Sequence, residues 1–407
     1  MRLIDHWVGR PVCWLLTQAD RVARLIPRRK KPDAPARILF IKLEEQGALV
    51  VACPAIMRAI DLVGRENVFF VTFDQNAHIL DMLNLLPSGN IFSIRSNNPW
   101  QVFTDTLRVI ARVRRRRIDA TVDMEFFARG SAALTYLCGS RVRVGLHAFN
   151  AGGPYRGDLM THKVLYNPYL HTADAYEVLV MALTSDPRET PMLKAEVPAP
   201  RRQPPTFTPP EASLVKVRGA LEARFGNPLP RPLFVFHPNT GDALRVRKWP
   251  KENYVALAEA LMRRYPDGAV LLTGLSSENE DIGWIAEQSN SRRVHSLSGH
   301  LNLADLLTLL SMADLLVTND SGPAHFSALT PVHLVALYGP ETPTLFGPLG
   351  TRNRVLHHPV ACSPCLTAFN YRLSSCGNNL CVKSITVEEI VAAVAECLSE
   401  RMEAPPC

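Results

Sequence analysis

The sequence predicts an α/β protein built from two doubly wound domains, and three observations predict it. Short apolar runs rich in Val, Ile and Leu alternate with longer helical patterns from Arg37 onward, as parallel strands joined by helices do. Eight prolines between Pro187 and Pro210 interrupt that alternation once, in the manner of an extended linker. At 407 residues the chain also exceeds one core of ordinary size. The resulting division is an amphipathic basic segment at 1–35, a first domain at 36–186, a linker at 187–210, a second domain at 211–385, and a C-terminal helix and tail at 386–407.

The N-terminal segment carries nearly all of the charge imbalance. Residues 1–40 hold nine Lys/Arg against three Asp, a net +6 out of +7 for the whole chain. A terminal patch of this kind is not the spread basic footprint of a nucleic-acid-binding face. Leu15, Leu16, Ala19, Val22, Ala23 and Ile26 recur at helical spacing, Trp7 and Trp14 flank them, and Arg28–Lys31 close the run. An apolar stripe with Trp and a basic cluster suits an anionic membrane surface; the competing reading is a helix packed on the first domain. No uncharged apolar window of about 18 residues is present and no cleavable signal pattern opens the chain. The expectation is therefore a cytoplasmic protein, peripheral on the cytoplasmic face of the inner membrane. A hydrophobic content of 47% with 20% charged residues excludes a disordered chain.

In the first domain the run Arg37–Ile41 opens the sheet, followed by strands at Val68–Thr72, Ile91–Ile94, Ala120–Asp123 and Val142–Val144. Helical patterns at Pro54–Val63 and Val102–Arg116 lie between them, and Arg114–Arg117 reads as the solvated cationic end of a helix. In the second domain a helix from Glu211 precedes strands at Leu233–Phe236, Ala269–Thr273, Ala313–Val317 and Val332–Leu337, and a helix at Val387–Leu398 ends the regular structure.

Each second-domain strand runs into small, polar or Gly-rich residues: His237–Gly241, Gly274–Glu278, Thr318–His325 and Tyr338–Thr342. Ligands of open parallel sheets bind beyond the carboxyl ends of the strands. In Thr318-Asn319-Asp320-Ser321-Gly322-Pro323-Ala324-His325, Asp320 and Ser321 stand where an N-cap would, and Pro323 suits a first helical turn. Strand, turn and helix N-terminus together make a phosphate-binding arrangement, and Arg245, Arg247 and Lys248 add positive charge near His237–Gly241. The composite reads as a pocket for a nucleoside diphosphate.

These pieces resemble glycosyltransferase family 9, the heptosyltransferase-like enzymes of the GT-B architecture, in which two Rossmann-like domains face a cleft. The matching stretches are ILFIKLEEQGALVVACPAIMRAI, FHPNTG with RKWPKENYVALAEAL, LSGHLNLADLLTLLSMADLLVTNDSGPAHFSAL and VALYGPETPTLFGPLG, in the family's order over roughly residues 37–395. The resemblance implies inverting transfer of a sugar from a nucleotide-sugar, ADP-heptose being the family's best-known donor. The implied acceptor is a lipopolysaccharide core or another cell-envelope glycan, and the terminal helix of such enzymes crosses back to the first domain.

Site residues follow from the resemblance and from chemistry together. No Asp-x-Asp motif occurs, so the expected balance for the donor diphosphate comes from Thr240, Thr318, Asp320, Ser321, the amides of Gly322–Ala324, and Arg247 or Lys248, without a catalytic metal or other cofactor. Glu278 is placed to meet a ribose or to cap a helix, and His325 to touch the donor or to pack. The family's base is an Asp directly after a Gly in the loop following the first strand. Here that pair is Gly47-Ala48, and Ala48 cannot accept a proton. Glu45, with Glu44 second, is the replacement carboxylate; Asp123 and Glu125 at the next strand end are the reserve, and Lys42 and Gly47 shape the loop. Cys362, Cys365, Cys376 and Cys381 have spacing that permits a structural zinc site; a redox-variable disulfide loop or four free thiols fit the same spacing. Two rival functions share the architecture: a non-catalytic nucleotide- or glycan-binding protein that lost the base at Ala48, and a nucleotide-sugar epimerase or hydrolase.

Overall fold

The structure is a computed structural model, which describes residues 2–25, 34–148, 155–199, 201–370 and 372–403. The chain divides into two compact units, residues 1–202 with 368–372 and residues 203–367 with 373–407. The sheet of the first unit comprises β1 (Ile38–Ile41), β2 (Val68–Phe73), β3 (Ile91–Ile94), β4 (Ala120–Asp123), β5 (Val142–His147) and β6 (His162–Leu165). That of the second comprises β7 (Leu233–His237), β8 (Ala269–Leu272), β9 (Val294–Ser296), β10 (Leu315–Asn319), β11 (His333–Tyr338) and β12 (Asn353–His357). All pairings are parallel, in the orders β3-β2-β1-β4-β5-β6 and β12-β11-β10-β7-β8-β9. Both units are thus doubly wound α/β folds whose strand order reverses once, between β1 and β4 and between β7 and β10. A crevice opens at such a reversal, because the connections on its two sides run in opposite directions.

The central strands are buried over their whole length, as helices on both faces require. Leu39, Ile41, Val71, Phe92, Val109 and Leu134 anchor the first core; Phe234, Phe236, Trp249, Leu257, Val317 and Val335 anchor the second. The edge strands β6, β9 and β12 are not among the expected elements, since they are short and only partly buried. β10 begins and ends two residues later than the run Ala313–Val317, so Thr318 and Asn319 belong to the strand and not to the turn. The expected helix after the Ser321 turn is a short helix Gly322–Phe326 followed by a 3₁₀ turn Ser327–Leu329. The terminal helix Val387–Glu403 packs on β10, β11, β12 and the helix Lys251–Arg264 of its own unit, burying Ile390, Val394 and Cys397 there.

The N-terminal segment forms helices Arg2–Trp7 and Gly9–Arg24, and both pack on the helix Arg129–Leu137. Asp5 supplies the cap that Ala128 lacks: its carboxylate accepts from the backbone N–H groups of Arg129 (2.9 Å) and Gly130 (2.7 Å). The buried face of Gly9–Arg24 is Cys13, Thr17 and Asp20, not the apolar stripe. Thr17 Oγ1 accepts from Asp158 N at 2.9 Å, and Asp20 meets Arg143 Nη2 at 3.3 Å and Arg24 Nε at 2.7 Å. Trp7, Trp14, Leu15, Val22 and Leu25 point to solvent instead. Polar side chains find partners inside because Arg143 and the Asp158 amide wait there. Ile26 and Arg28–Lys31 lie outside the described residues. Among the described residues no helix is long and apolar enough to cross a membrane.

Asp20 and Arg143 are both buried, so removing the acid leaves a guanidinium away from water with only the carbonyls of Leu159 and Ser140 and no counter-charge from Asp20. Asp20→Ala is expected to destabilise the first unit by about 3–5 kcal/mol, seen as an earlier transition in urea with the second unit's transition unmoved. A shift under about 1 kcal/mol would mean that solvent reaches Arg143 in the variant.

Candidate active site

At the strand reversal of the first unit stands Lys42, the residue after β1, only 2% exposed. Its Nζ donates to Glu125 Oε2 at 3.0 Å, and the other oxygen of Glu125 accepts from the backbone amides of Leu43 (2.7 Å) and Glu44 (3.2 Å). Glu125 therefore gathers the amides of the β1 loop, and Lys42 holds Glu125 in place. Burial opposes the Lys42 charge, but Glu125, Tyr176 and Glu45 outweigh it and hold the ammonium above its ordinary range. Two residues back, Asp123 is fully buried and bonded to Ser131 Oγ (3.0 Å) and Arg156. Burial pushes its carboxyl up to about 6, against the pull of Arg156.

Glu45 is the N-cap residue of the short helix Gln46–Val51, at φ 71° and ψ 100°. A non-glycine residue there is strained, typically by about 1–3 kcal/mol. The surrounding contacts hold it. Its carboxylate pairs with Arg372, itself at positive φ, and lies 4.0 Å from Lys42 Nζ. Arg372 in turn sits over the ring of Phe126, 6.0 Å from its centroid. Glu45 keeps a third of its side chain in contact with solvent, and Glu44 is exposed. Gly47 is buried within the same helix and Ala48 is half-buried one residue on. The strained, cation-held carboxylate is thus Glu45, next to a buried ammonium.

In the second unit the reversal brings His237–Gly241 beside Thr318–Gly322. Thr318 Oγ1 donates to His237 O at 3.1 Å and lies 2.9 Å from Ser321 Oγ. Asn319 ties the two strand ends together, donating to Pro238 O (2.7 Å) and accepting from Trp249 N (3.1 Å). Arg247 is buried; it donates to Asp320 O at 3.2 Å, lies 3.3 Å from Asp320 Oδ2, and meets Glu341 Oε2 at 2.5 Å. Thr240, Lys248, Ser321, Gly322 and His325 are only partly buried and form the reachable rim. Thr240 Oγ1 donates to Leu244 O at 3.0 Å, which fixes the turn. Lys248 lies 3.8 Å from Asp281.

The expected donor residues therefore divide. Thr318, Asp320 and Arg247 are a buried frame, while Thr240, Lys248, Ser321, Gly322 and His325 face outward from it. Ser321 occupies the N-cap position, without a side-chain cap bond. Glu278 accepts from Leu275 N at 2.9 Å at the start of its own helical turn, the local role weighed against ribose binding. Sequence reasoning did not assign site roles to Glu341 and Arg372. Glu341 follows the Tyr338-Gly339-Pro340 turn and is legible as an acid at a strand end. Arg372 lies 327 residues from Glu45, and no local pattern links them.

The four clustered cysteines are free thiols, with Cys381 buried and Cys362 and Cys376 exposed. Burial raises the Cys381 thiol above its ordinary range, reinforced by Cys365, Cys376 and Cys362. The zinc arrangement is not formed: among the described residues no group of three or more His, Cys, Asp or Glu is placed to hold a metal ion. Cys365 Sγ turns to Ser374 Oγ at 3.4 Å, and Cys381 is packed into the helix Leu380–Lys383.

The family model of glycosyltransferase family 9 (heptosyltransferase) matches residues 106–372. Among curated relatives, lipopolysaccharide heptosyltransferase 2 of Salmonella typhimurium is 34% identical over 131 residues, 31% of this chain and 36% of that protein. Its Escherichia coli counterpart is 33% identical over 132 residues with the same shares. The match thus spans about a third of these relatives' length. A glycosyl transferase family 9 structure from Veillonella parvula superposes with a TM-score of 0.70 at 18% identity, covering 91% of this chain and all of that one. The E. coli ADP-heptose lipopolysaccharide heptosyltransferase II gives 0.66 at 19%, covering 90% of this chain and all of that one. At such identities the likeness shows the fold.

His237 ends β7 inside this frame, its Nδ1 3.1 Å from Thr273 Oγ1. Burial lowers its pKa from 6.5 to about 4. Between those values the unfolded chain binds more protons than the folded one. The contribution is thus present above pH 6.5 and lost as pH falls through the window. His237→Gln should flatten the second unit's stability between pH 6.5 and 4 relative to the parent. Parallel pH profiles of the two proteins would show that solvent reaches the ring.

Proposed function

The chain belongs to glycosyltransferase family 9, and we propose that it is a heptosyltransferase-type enzyme of cell-envelope glycan assembly. In this reading the second unit holds a nucleotide-sugar, ADP-heptose or a close relative, and the first unit presents the acceptor to Glu45. The acceptor is a lipopolysaccharide core or a related glycolipid. The observation that carries the proposal is the pair of polar sites at the two strand reversals, one a diphosphate-type rim and the other a strained carboxylate beside a buried ammonium.

The chemistry assigned to these residues is a single displacement with inversion. Glu45 takes the proton of the acceptor hydroxyl as that oxygen bonds to the anomeric carbon. The bond from the anomeric carbon to the phosphate oxygen breaks, and its electron pair leaves with the nucleoside diphosphate. Ser321, the Gly322 amide and Lys248 meet the growing negative charge, with Thr240 and Arg247 behind them fixing the turns. The partner Arg372 pairs with the Glu45 carboxylate and fixes its orientation. The enzyme acts at the cytoplasmic face of the inner membrane, held by the outward apolar face of the helix Gly9–Arg24 and the basic cluster Arg28–Lys31. One observation favours a second reading, a nucleotide-binding protein without transfer: Ala48 occupies the position of the family's base.

Transfer of heptose from ADP-heptose to heptose-deficient lipopolysaccharide, followed by mass spectrometry, separates the two readings. Glu45→Gln is expected to lower turnover about 10²–10⁴-fold with ADP affinity unchanged. Turnover within twofold of the parent would remove Glu45 from the mechanism, and ADP binding without transfer to any envelope glycan would favour the second reading. The membrane assignment has its own test. Trp14→Ser, Leu15→Ser and Val22→Ser together alter only exposed side chains. They should weaken flotation with anionic vesicles at least about tenfold; equal flotation would locate the contact elsewhere.

A further inference from the structure

The first unit contains a cavity of about 450 Å³ that the chemistry above does not use in full. Lys42, Glu45, Glu125 and Arg372 line one part of it, and these are the groups that surround the proposed base. The rest is mostly apolar: Val8 at the junction of the N-terminal helices, Val12 from the second of them, Val102 and Phe103 from the helix Pro99–Arg115, and Phe73 and Phe127 from the sheet side, with Asp5, Thr106, Arg129 and Ser131 among them. A volume in this range suits a small ligand held by apolar walls with a few polar groups at one end.

We infer that this cavity binds an alkyl, acyl or isoprenoid chain carried by the acceptor, so that the reacting hydroxyl lies close to an apolar group. The inference rests on the proposed acceptor role of the first unit and names the class of acceptor. Three features commit the cavity to a chain of this kind. Lys42, Glu45, Glu125 and Arg372 give it a charged end, while Asp5 and Arg129, which also line it, are paired with each other at 3.7 Å, which suits a molecule with a hydroxylated head and a largely apolar body. Phe103 and Val8 line the cavity yet remain 54% and 53% exposed, so the apolar wall continues to the surface. Beside them in sequence, Trp7 and Trp100 are 70% and 71% exposed, and indole rings favour the boundary between water and lipid. A long hydrophilic oligosaccharide gains nothing from such walls, because its hydroxyls would lose water without finding partners.

The test uses the purified full chain and a series of alkyl β-D-glucopyranosides, methyl, hexyl and octyl, each below its micellar concentration, in isothermal titration calorimetry. The expected result is tighter binding by about fourfold for each methylene that enters the cavity. Phe103→Asp and Val8→Asp, each at a half-exposed position, should bring the octyl compound to within twofold of the methyl one, while Phe103→Leu keeps the parent's dependence. Equal affinities across the series in the parent would overturn the inference, as would a dependence that survives both Asp variants. ADP titration on the same samples keeps the two proposals apart. Intact ADP binding with a flat alkyl series sinks this inference alone, whereas loss of ADP binding in the parent sinks the transferase reading and leaves the alkyl result standing.

Discussion

A buried cation stands at the strand reversal of each sheet, and both local architectures depend on its being paired. Lys42 follows β1 and Arg247 precedes the helix Lys251–Arg264; both are nearly excluded from solvent. Charge in that position costs several kcal/mol unless acids and backbone carbonyls answer it. Glu125 answers Lys42, and its second oxygen gathers the amides of Leu43 and Glu44. Glu341 and Asp320 answer Arg247, which also reaches the Asp320 carbonyl. Each pair thereby fixes a loop that would otherwise carry unsatisfied amides, and each loop carries the outward-facing groups of a candidate site.

That arrangement separates scaffold from chemistry in a way the motif alone conceals. Asp320, in the most recognisable stretch of the chain, is spent on Arg247, whereas its neighbours Ser321 and Gly322 remain reachable. In the first unit Glu125 is committed to Lys42 and the loop amides. Glu45 pairs with Arg372 and lies near Lys42, at a strained backbone position and in contact with solvent. Strain kept in place by surrounding contacts is characteristic of groups that must be presented in one orientation.

The fold was legible because its signals are local. Continuous apolar runs bounded by turn residues give β1, β4, β7 and β10, and the alternation with helices gives two parallel sheets. The edge strands β6, β9 and β12 escaped because a half-exposed three- to five-residue strand has no run to display. At the site, the turn chemistry of Thr240, Ser321 and Gly322 was readable, but the burial of Asp320 was not. Its partner Arg247 stands 73 residues away, and only the reversal of strand order brings them together. The Glu45–Arg372 pair joins opposite ends of the chain, and neither residue's neighbours announce the other. The cysteine spacing misled for the converse reason: spacing permits a tetrahedron, while the packing of Cys381 and the turn of Cys365 toward Ser374 decide against it.

The N-terminal helices carry the same lesson one step further. Helical periodicity identified an apolar stripe, and burial is the ordinary fate of such a stripe. Here the acid Asp20 and the hydroxyl of Thr17 go inside, because Arg143 and the amide of Asp158 are there to satisfy them. Asp5 likewise caps a helix 124 residues away. Six or more specific polar contacts thus orient a pair of helices of which Cys13 and Leu16 reach the core while Trp14, Leu15 and Val22 do not. Turning Trp14, Leu15 and Val22 outward exposes large apolar area that water penalises. A helix anchored through polar groups thus leaves most of its apolar face uncovered, and which face goes inside is decided by the partners that the first unit offers rather than by the periodicity of the helix.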